Sequence, residues 1–381
     1  MNTQILHPTP ENIRRVADAI AQDAVVGMPT ETVYGLAGNG RSSLALARIF
    51  ETKERPTFDP LILHIGPLKK GIESLDALNL IRTEALSALQ IQQIETLIHR
   101  FWPGPLTLVL PKHASIPDLA TSDLPSVALR MPAHPVAQAL IAAAGTPLAA
   151  PSANRFGRIS PTTALAVEQE LGGRIPYILN GGPCPIGLES TIIGFASTDE
   201  PGETAIQVLR PGGTPIEAIE HALGITLRLP TAHPQTPSAT QALLAPGMLE
   251  SHYAPRTPLV VLPNSIPALR TEDGEKWKAA ALPGQLNPSR KVGLLLMQGD
   301  PAASARVFSA LLGHPVECLS LSESGDLTEA AQRFFSSLRE LDSLGLAAIF
   351  AEPCLHREGL GYAISDRLQR ASAPRSLEFS Q

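Results

Sequence analysis

Cysteine is scarce: Cys184, Cys318 and Cys354 are the only three in 381 residues, far apart and without a C-x-x-C pair. That removes a disulfide framework and a cysteine zinc site, and it fits a reduced compartment. Aromatic residues make up 4% of the chain and the formal net charge is −6. A nucleic-acid coat needs stacking rings and a basic balance, so an anionic partner is expected to be small. Long apolar runs are missing as well. Met1 to Arg15 lacks an apolar h-region, and the most apolar run, Gln138 to Ala150, is broken by Gly145 and Pro147. The expectation is a cytoplasmic chain with no signal peptide and no membrane span. Four motifs are absent: G-x-x-x-x-G-K-[ST], a strand-associated G-x-G-x-x-G, H-E-x-x-H and G-x-S-x-G. Their absence sets aside a P-loop kinase, a Rossmann oxidoreductase, a zincin and an α/β-hydrolase. Gly38-Asn-Gly40 reads as a turn.

What is present suits a soluble globular protein, 44% hydrophobic and too long for one ordinary core, so two domains are expected. Thr9-Pro10 opens a first helix with Ile13, Val16, Ala17 and Ile20 on one face. Short strands are expected at Ala24 to Met28, Leu61 to Ile65, Leu106 to Leu110, Val127 to Arg130, Pro147 to Ala150, Tyr177 to Leu179, Ser190 to Phe195 and Ala205 to Leu209. Helices follow Ser42, His134, Ser160-Pro-Thr-Thr163 and Pro215, while Lys69 to Gln93 is helical in pattern without clear ends. Prolines at 230, 234, 237, 246, 255 and 258 give the next stretch the composition of an extended linker. Beyond it, apolar strands at Leu259 to Leu262, Val292 to Leu296, Val316 to Leu319 and Leu346 to Ala351 alternate with helices such as Leu327 to Leu341. That alternation predicts a small parallel-sheet domain behind a mixed α/β one.

A phosphate site needs cations, hydroxyls or free backbone N–H groups. The first part of the chain supplies many, each at a strand exit: Thr30 and Thr32, Lys53 and Arg55, Arg130, Ser152 and Asn154, Arg158 and Ser160, Ser190 and Thr191, and Arg210. Lys53 and Arg55 stand two residues apart, so on an extended segment they would point the same way and hold one polyanion. A lone Ser or Thr among these reads as a cap or turn hydroxyl; recurrence at strand exits marks the walls of one cleft. His64, on a buried strand, stands evenly between a hydrogen-bonded core histidine and a functional one.

Six ordered segments carry a resemblance: Pro29-Thr-Glu-Thr-Val-Tyr-Gly-Leu36, Lys53-x-Arg55-Pro56 with Pro60-Leu61 and His64, Phe101-Trp-Pro-Gly-Pro-Leu-Thr107, Val127-Ala-Leu-Arg-Met-Pro132, Pro151-Ser-Ala-Asn154 and Val208-Leu-Arg-Pro-Gly212. Together they resemble the L-threonylcarbamoyladenylate synthase family, and Ala245-Pro-Gly-Met with His252-Tyr-Ala-Pro255 resembles its long, two-domain form. The resemblance implies a twisted mixed-sheet α/β domain with a cationic cavity over residues 1–225. It also implies a linker or lid over that cavity at 226–257 and a small Rossmann-like domain at 258–381.

The implied reaction joins threonine, bicarbonate and ATP into threonylcarbamoyl-AMP and pyrophosphate, with Mg²⁺ accompanying ATP. The product goes to a tRNA threonylcarbamoyl transferase, and weak RNA contact is compatible with a cationic surface. By the same resemblance threonine falls to Thr32, His64, Arg130, the backbone at Ala150, and Ser190. ATP falls to Lys53, Arg55, Asp59, Ser126, Ser152, Asn154, Ser160, Arg210 and Tyr253, with Lys53 and Arg55 at the chemistry. Asp59 stands where Asn is as frequent, and Ser126 lies in a variable loop. Tyr362-Ala-Ile-Ser-Asp-Arg367 is loosely similar to a family pattern that reads as structural. The rival classes are an RNA-binding module and a carbamoyltransferase built on the same first fold; the latter adds zinc fingers, for which this chain has no C-x-x-C.

Overall fold

The computed structural model describes residues 2–197, 204–227, 229, 246, 251–266 and 290–373. The chain divides into two compact units, Met1–Phe156 with Ser160–Glu250, and Gly157–Ile159 with Ser251–Gln381. Most of the proline-rich stretch expected as a linker lies outside the described residues.

The first unit is built on a ten-stranded mixed sheet. Its strands are β1 (Gln4–Leu6), β2 (Val26–Met28), β3 (Gly35–Asn39), β4 (Ile62–His64), β5 (Leu106–Pro111), β6 (Ser126–Arg130), β7 (Leu148–Ala149), β8 (Tyr177–Leu179), β9 (Thr191–Ser197) and β10 (Thr204–Arg210). They lie in the order β1-β8-β2-β3-β7-β4-β6-β5-β9-β10. The pairs β4/β6 and β5/β9 are parallel, while β5/β6 and β9/β10 are antiparallel.

Helix α1 (Pro10–Ala21) begins as its sequence dictates, with Thr9 Oγ1 accepting from Asn12 N at 3.2 Å and Pro10 in the first turn. It packs with α6 (Pro135–Ala144) over one end of the sheet, where Val16, Ile20, Leu140 and Leu148 are fully buried. Burial of each such side chain stabilises by about 1.5–3 kcal/mol. A smaller apolar strip of Ile62, Ala128, Ile192 and Leu209 continues along the sheet. Strand register puts Ile62 opposite Ala128 and His64 opposite Arg130, so the strip runs directly into the polar residues of the site.

Three local expectations change. Gly38 and Asn39 close strand β3 rather than forming a turn, because Gly38 pairs with Ala149. The segment from Lys69 to Gln93 is not one helix: α3 (Gly71–Ala77) stops before Asn79, which takes a left-handed φ of 50°. Ile81 then bridges Lys112, a short 3₁₀ turn covers Thr83–Ala85, and α4 (Ala88–Phe101) starts at a Ser87/Gln90 capping box. Finally, α2 (Ser43–Lys53) runs through Lys53 and ends in a left-handed Glu54. Lys53 and Arg55 therefore flank a helix C-cap instead of sharing an extended segment.

The second unit is a four-stranded parallel sheet of β11 (Leu259–Val261), β12 (Val292–Gln298), β13 (Val316–Ser322) and β14 (Ile349–Ala351), in the order β11-β14-β12-β13. Phe308 and Leu312 of α9 (Pro301–Leu312) pack on the face holding Leu294, Leu296 and Phe350. Helix α10 (Leu327–Ser343) follows β13, and α11 (Gly361–Ser372) ends the described chain. The strand order switches between the parallel neighbours β12 and β14, the kind of place where an open α/β sheet ordinarily takes a ligand.

Candidate active site

Arg130, at the end of β6, is buried with 3% of its surface exposed and donates three hydrogen bonds. Its Nε reaches Gly104 O at 3.2 Å, Nη1 reaches Thr32 Oγ1 at 2.9 Å, and Nη2 reaches Glu31 Oε1 at 2.6 Å. A guanidinium has five N–H groups, so one remains on each terminal nitrogen, a pair that suits a carboxylate. Thr32 is itself held by Thr30, whose Oγ1 lies 2.9 Å away while bonding Val33 O at 2.6 Å. Burial pushes the Glu31 carboxyl up, but Arg130 outweighs it and holds the group below its usual range, so Glu31 is an anion. His64, across the ladder from Arg130, is pulled down to about 3 by burial and by the Arg130 charge, and its Nδ1 lies 3.3 Å from Ile62 O. It is a neutral imidazole throughout the working pH range.

A second group adjoins the first through the segment between Gly104 and Thr107. Thr107 Oγ1 and Ser190 Oγ are 2.7 Å apart, and Arg210 Nη2 donates to Ser190 O at 2.9 Å and to Ser190 Oγ at 3.2 Å. Arg210 Nη1 also reaches Pro246 O at 3.1 Å. Ser160 Oγ donates to Glu189 Oε1 at 2.6 Å, beside Ser190. The close approach explains Gly212: a Cβ there would come within 2.3 Å of the Ser190 carbonyl carbon.

The third group lies beyond β7. Lys53 Nζ donates to Ser152 O and Asn154 O, both at 2.5 Å, with 1% of the residue exposed. Burial first, then the Arg55 charge, pulls its ammonium well below the ordinary lysine range. Arg55 Nη2 lies 2.9 Å from Asp59 Oδ1 and 2.8 Å from Pro60 O. Ala150 N donates to Ile62 O at 3.1 Å, tying this group to β4.

Ser126 sits four residues before Arg130 on the same strand and face. It lines a cavity of about 350 Å³ with Arg82, Gln90, Val109, Gln207 and Leu209. Polar cluster, apolar strip and cavity thus follow one another along one sheet face. Tyr253 and Arg158 belong to the second unit, where Arg158 lies 3.6 Å from Asp342. Among the described residues no three His, Cys, Asp or Glu side chains are grouped to hold a metal ion, and no helix is long and apolar enough to cross a membrane.

Sequence reasoning passed over Glu31, Thr107 and Glu189. Glu31 stands between the hydroxyls of Thr30 and Thr32. Thr107 carried a usable signal, a polar residue interrupting the otherwise apolar Leu106 to Leu110 strand.

Residues 18–212 match the Sua5/YciO/YrdC family, described as telomere recombination, and residues 214–373 match the family described as the C-terminal domain of threonylcarbamoyl-AMP synthase. The threonylcarbamoyl-AMP synthase of Pyrococcus abyssi is 37% identical over 96% of this chain and 95% of its own length. That of Bacillus subtilis is 35% identical over 98% and 96%. The crystal structure of P. abyssi Sua5 complexed with L-threonine superposes with a TM-score of 0.79 and 35% identity, covering 98% of each chain. The chain therefore belongs to the Sua5/YciO/YrdC family, in the form that also carries the threonylcarbamoyl-AMP synthase C-terminal domain.

Proposed function

We infer that the chain is a threonylcarbamoyl-AMP synthase, a nucleotidyltransferase converting L-threonine, bicarbonate and ATP into threonylcarbamoyl-AMP, pyrophosphate and water. The likeness to enzymes of that name over nearly the full length carries this reading, and the polar sheet face is the chemistry it needs. The product serves tRNA modification. It is a mixed carbamic–phosphoric anhydride that water destroys, so a tRNA threonylcarbamoyl transferase must consume it, and a cytoplasmic setting suits both.

In this reading threonine lies at Thr32, His64, Arg130, the Ala150 backbone and Ser190. The two remaining Arg130 donors fit its carboxylate, and neutral His64 meets its hydroxyl or amine without adding charge. ATP lies toward Lys53, Arg55, Asp59, Ser152, Asn154, Ser160 and Arg210, with Ser126 and its cavity toward the nucleoside and Tyr253 as a further contact. The deprotonated amine takes the carbon of bicarbonate with loss of water. A carbamate oxygen then attacks the α-phosphorus, and pyrophosphate leaves toward Lys53, Arg55 and Arg210. No covalent enzyme intermediate forms. Positioning, charge stabilisation and exclusion of water account for the rate, since free carbamates decompose. Asp59 is the one carboxylate in the ATP group and is drawn to Arg55, so Mg²⁺ would arrive on the triphosphate, held by phosphate oxygens and water.

Mass spectrometry of the product from ATP, threonine and ¹³C-bicarbonate tests the assignment. The expected species is threonylcarbamoyl-AMP carrying one labelled carbon; AMP or ADP formed without threonine dependence would sink it.

A further inference from the structure

Thr107 is the polar residue of the otherwise apolar strand β5. In the β5/β6 ladder Val109 pairs with Ala128 and Leu108 with Leu129, so the next position sets Thr107 opposite Arg130, both on the face of the polar cluster. Thr107 is fully buried. A valine would serve the strand there without burying a polar atom, so the hydroxyl calls for a reason.

Thr107 Oγ1 lies 2.7 Å from Ser190 Oγ, and among the described residues that is the one hydrogen bond its side chain makes. Ser190, equally buried, is gripped by Arg210: Nε and Nη2 donate to its carbonyl at 3.2 and 2.9 Å, and Nη2 also reaches Oγ at 3.2 Å. Two hydroxyls that share one hydrogen bond have two protons between them, so one O–H keeps no acceptor within the protein. Buried donors are seldom left that way. A serine oxygen has two lone pairs, and Arg210 fills one. Thr107 donating into the other leaves the Ser190 proton as all that this side chain can still offer. The reverse sense would spend that proton on Thr107, and Ser190 would have nothing to give an anion.

We propose that Thr107 is a positioning residue for threonine: it donates to Ser190, closes that oxygen as an acceptor, and leaves the Ser190 O–H as a donor to the threonine carboxylate, beside the two donors that Arg130 keeps. An ammonium finds no acceptor on a serine closed in this way, so the pair also fixes which end of the amino acid faces Arg130. The proposal rests on the reading of Ser190 as a threonine contact.

The test is threonine titration calorimetry on the full-length protein, with KM, kcat and thermal melting, for Thr107→Val, Thr107→Ser, Ser190→Ala and Thr107→Val combined with Ser190→Ala. Thr107→Val is expected to weaken threonine about fivefold, with kcat at saturating threonine within about twofold of the wild type. Thr107→Ser, which keeps the hydroxyl, should bind within about twofold of the wild type. In the Ser190→Ala background Thr107→Val should add nothing, because the residue acts through Ser190 Oγ. Threonine affinity unmoved by Thr107→Val, lowered equally with and without the Ser190 hydroxyl, or not rescued by Thr107→Ser would overturn the proposal. So would a fall in kcat at unchanged threonine affinity. Wild-type threonine affinity in Ser190→Ala would instead remove Ser190 from the threonine site, and the proposal with it. Should Thr107→Val fail to fold, Thr107→Ala and Thr107→Ser repeat the comparison, since those two differ in the hydroxyl alone.

Discussion

The sheet face around Arg130 and the strand ends around Glu352 are both places where a folded α/β unit collects polar groups, but they are satisfied in opposite ways. Glu352 follows β14 at the reversal point of the second sheet and is 4% exposed. Its Oε1 accepts from Ile266 N at 2.6 Å and its Oε2 from Met297 N at 3.0 Å. The adjoining helix N-termini are capped by Asp300 and Asp326, which accept from Ala302 N and Glu329 N, both at 2.8 Å. Backbone donors that could have met a phosphate are thus taken by carboxylates of the chain itself. On the first sheet, Arg130 keeps two donors and the cations Lys53 and Arg210 are held by neutral backbone carbonyls. A carbonyl orients a cation without cancelling its charge. A parallel sheet with a reversal point is therefore not enough to make a ligand site; what matters is whether its donors are already spent.

The most damaging way to break that contrast is to remove a cation of the ATP group. Lys53→Met and Arg55→Met are each expected to lower threonine- and bicarbonate-dependent pyrophosphate release by about 10²–10³-fold, the scale seen when one charge-stabilising donor is lost. Circular dichroism should show an unchanged fold. Full activity in both variants would remove these residues from the chemistry.

Next in size is the Glu31–Arg130 pair. Arg130→Met should weaken threonine binding about 100-fold by removing a bidentate carboxylate partner. It should also destabilise the protein by about 3–5 kcal/mol, because Glu31 is left as an uncompensated buried charge. Glu31→Gln added to Arg130→Met should recover stability but not binding. If calorimetry shows both restored, Arg130 is merely the counter-ion of Glu31.

The fold was legible where local chemistry and packing agree. Thr9-Pro10, the apolar face through Val16 and Ile20, and the short strands from Leu61 and Val127 needed only capping rules, helical periodicity and short apolar runs. That Lys53 and Arg55 flank a helix end rather than share an extended segment was not legible, because a left-handed Glu54 is fixed by the turn into Arg55 rather than by any propensity of glutamate. Of the candidate site, the cations and hydroxyls could be named from strand exits, and their family motifs sorted them. Their partners could not. That Lys53 meets Ser152 O and Asn154 O, or that Glu31 meets Arg130, depends on contacts about 100 residues apart in sequence.

The second region can be opened from the other side. Glu352→Ala leaves the N–H groups of Ile266 and Met297 unpaired and is expected to cost about 2–3 kcal/mol. Formate at high concentration should raise the melting temperature of this variant more than that of the wild type, by reoccupying the vacated seat. Threonine affinity should stay unchanged. A formate response equal to that of the wild type would mean the seat had collapsed and is no anion cradle.

The smallest effect concerns His64 and the neutrality of the first sheet's floor. Folded His64 resists protonation down to about pH 3 because burial and Arg130 both oppose the charge, whereas an unfolded histidine takes its proton near pH 6.5. Between those values the unfolded state binds more protons, so stability is complete above about pH 6.5 and declines as pH falls. The slope from one group is at most about 1.4 kcal/mol per pH unit. Urea unfolding at pH 7 and pH 5 should therefore show a loss that His64→Gln reduces. Arg130→Met should reduce it as well, since it lifts one of the two influences holding the imidazole neutral. Identical pH slopes in all three proteins would show that His64 is protonated in the folded state, and the threonine end would then carry a cation more than the sheet face displays.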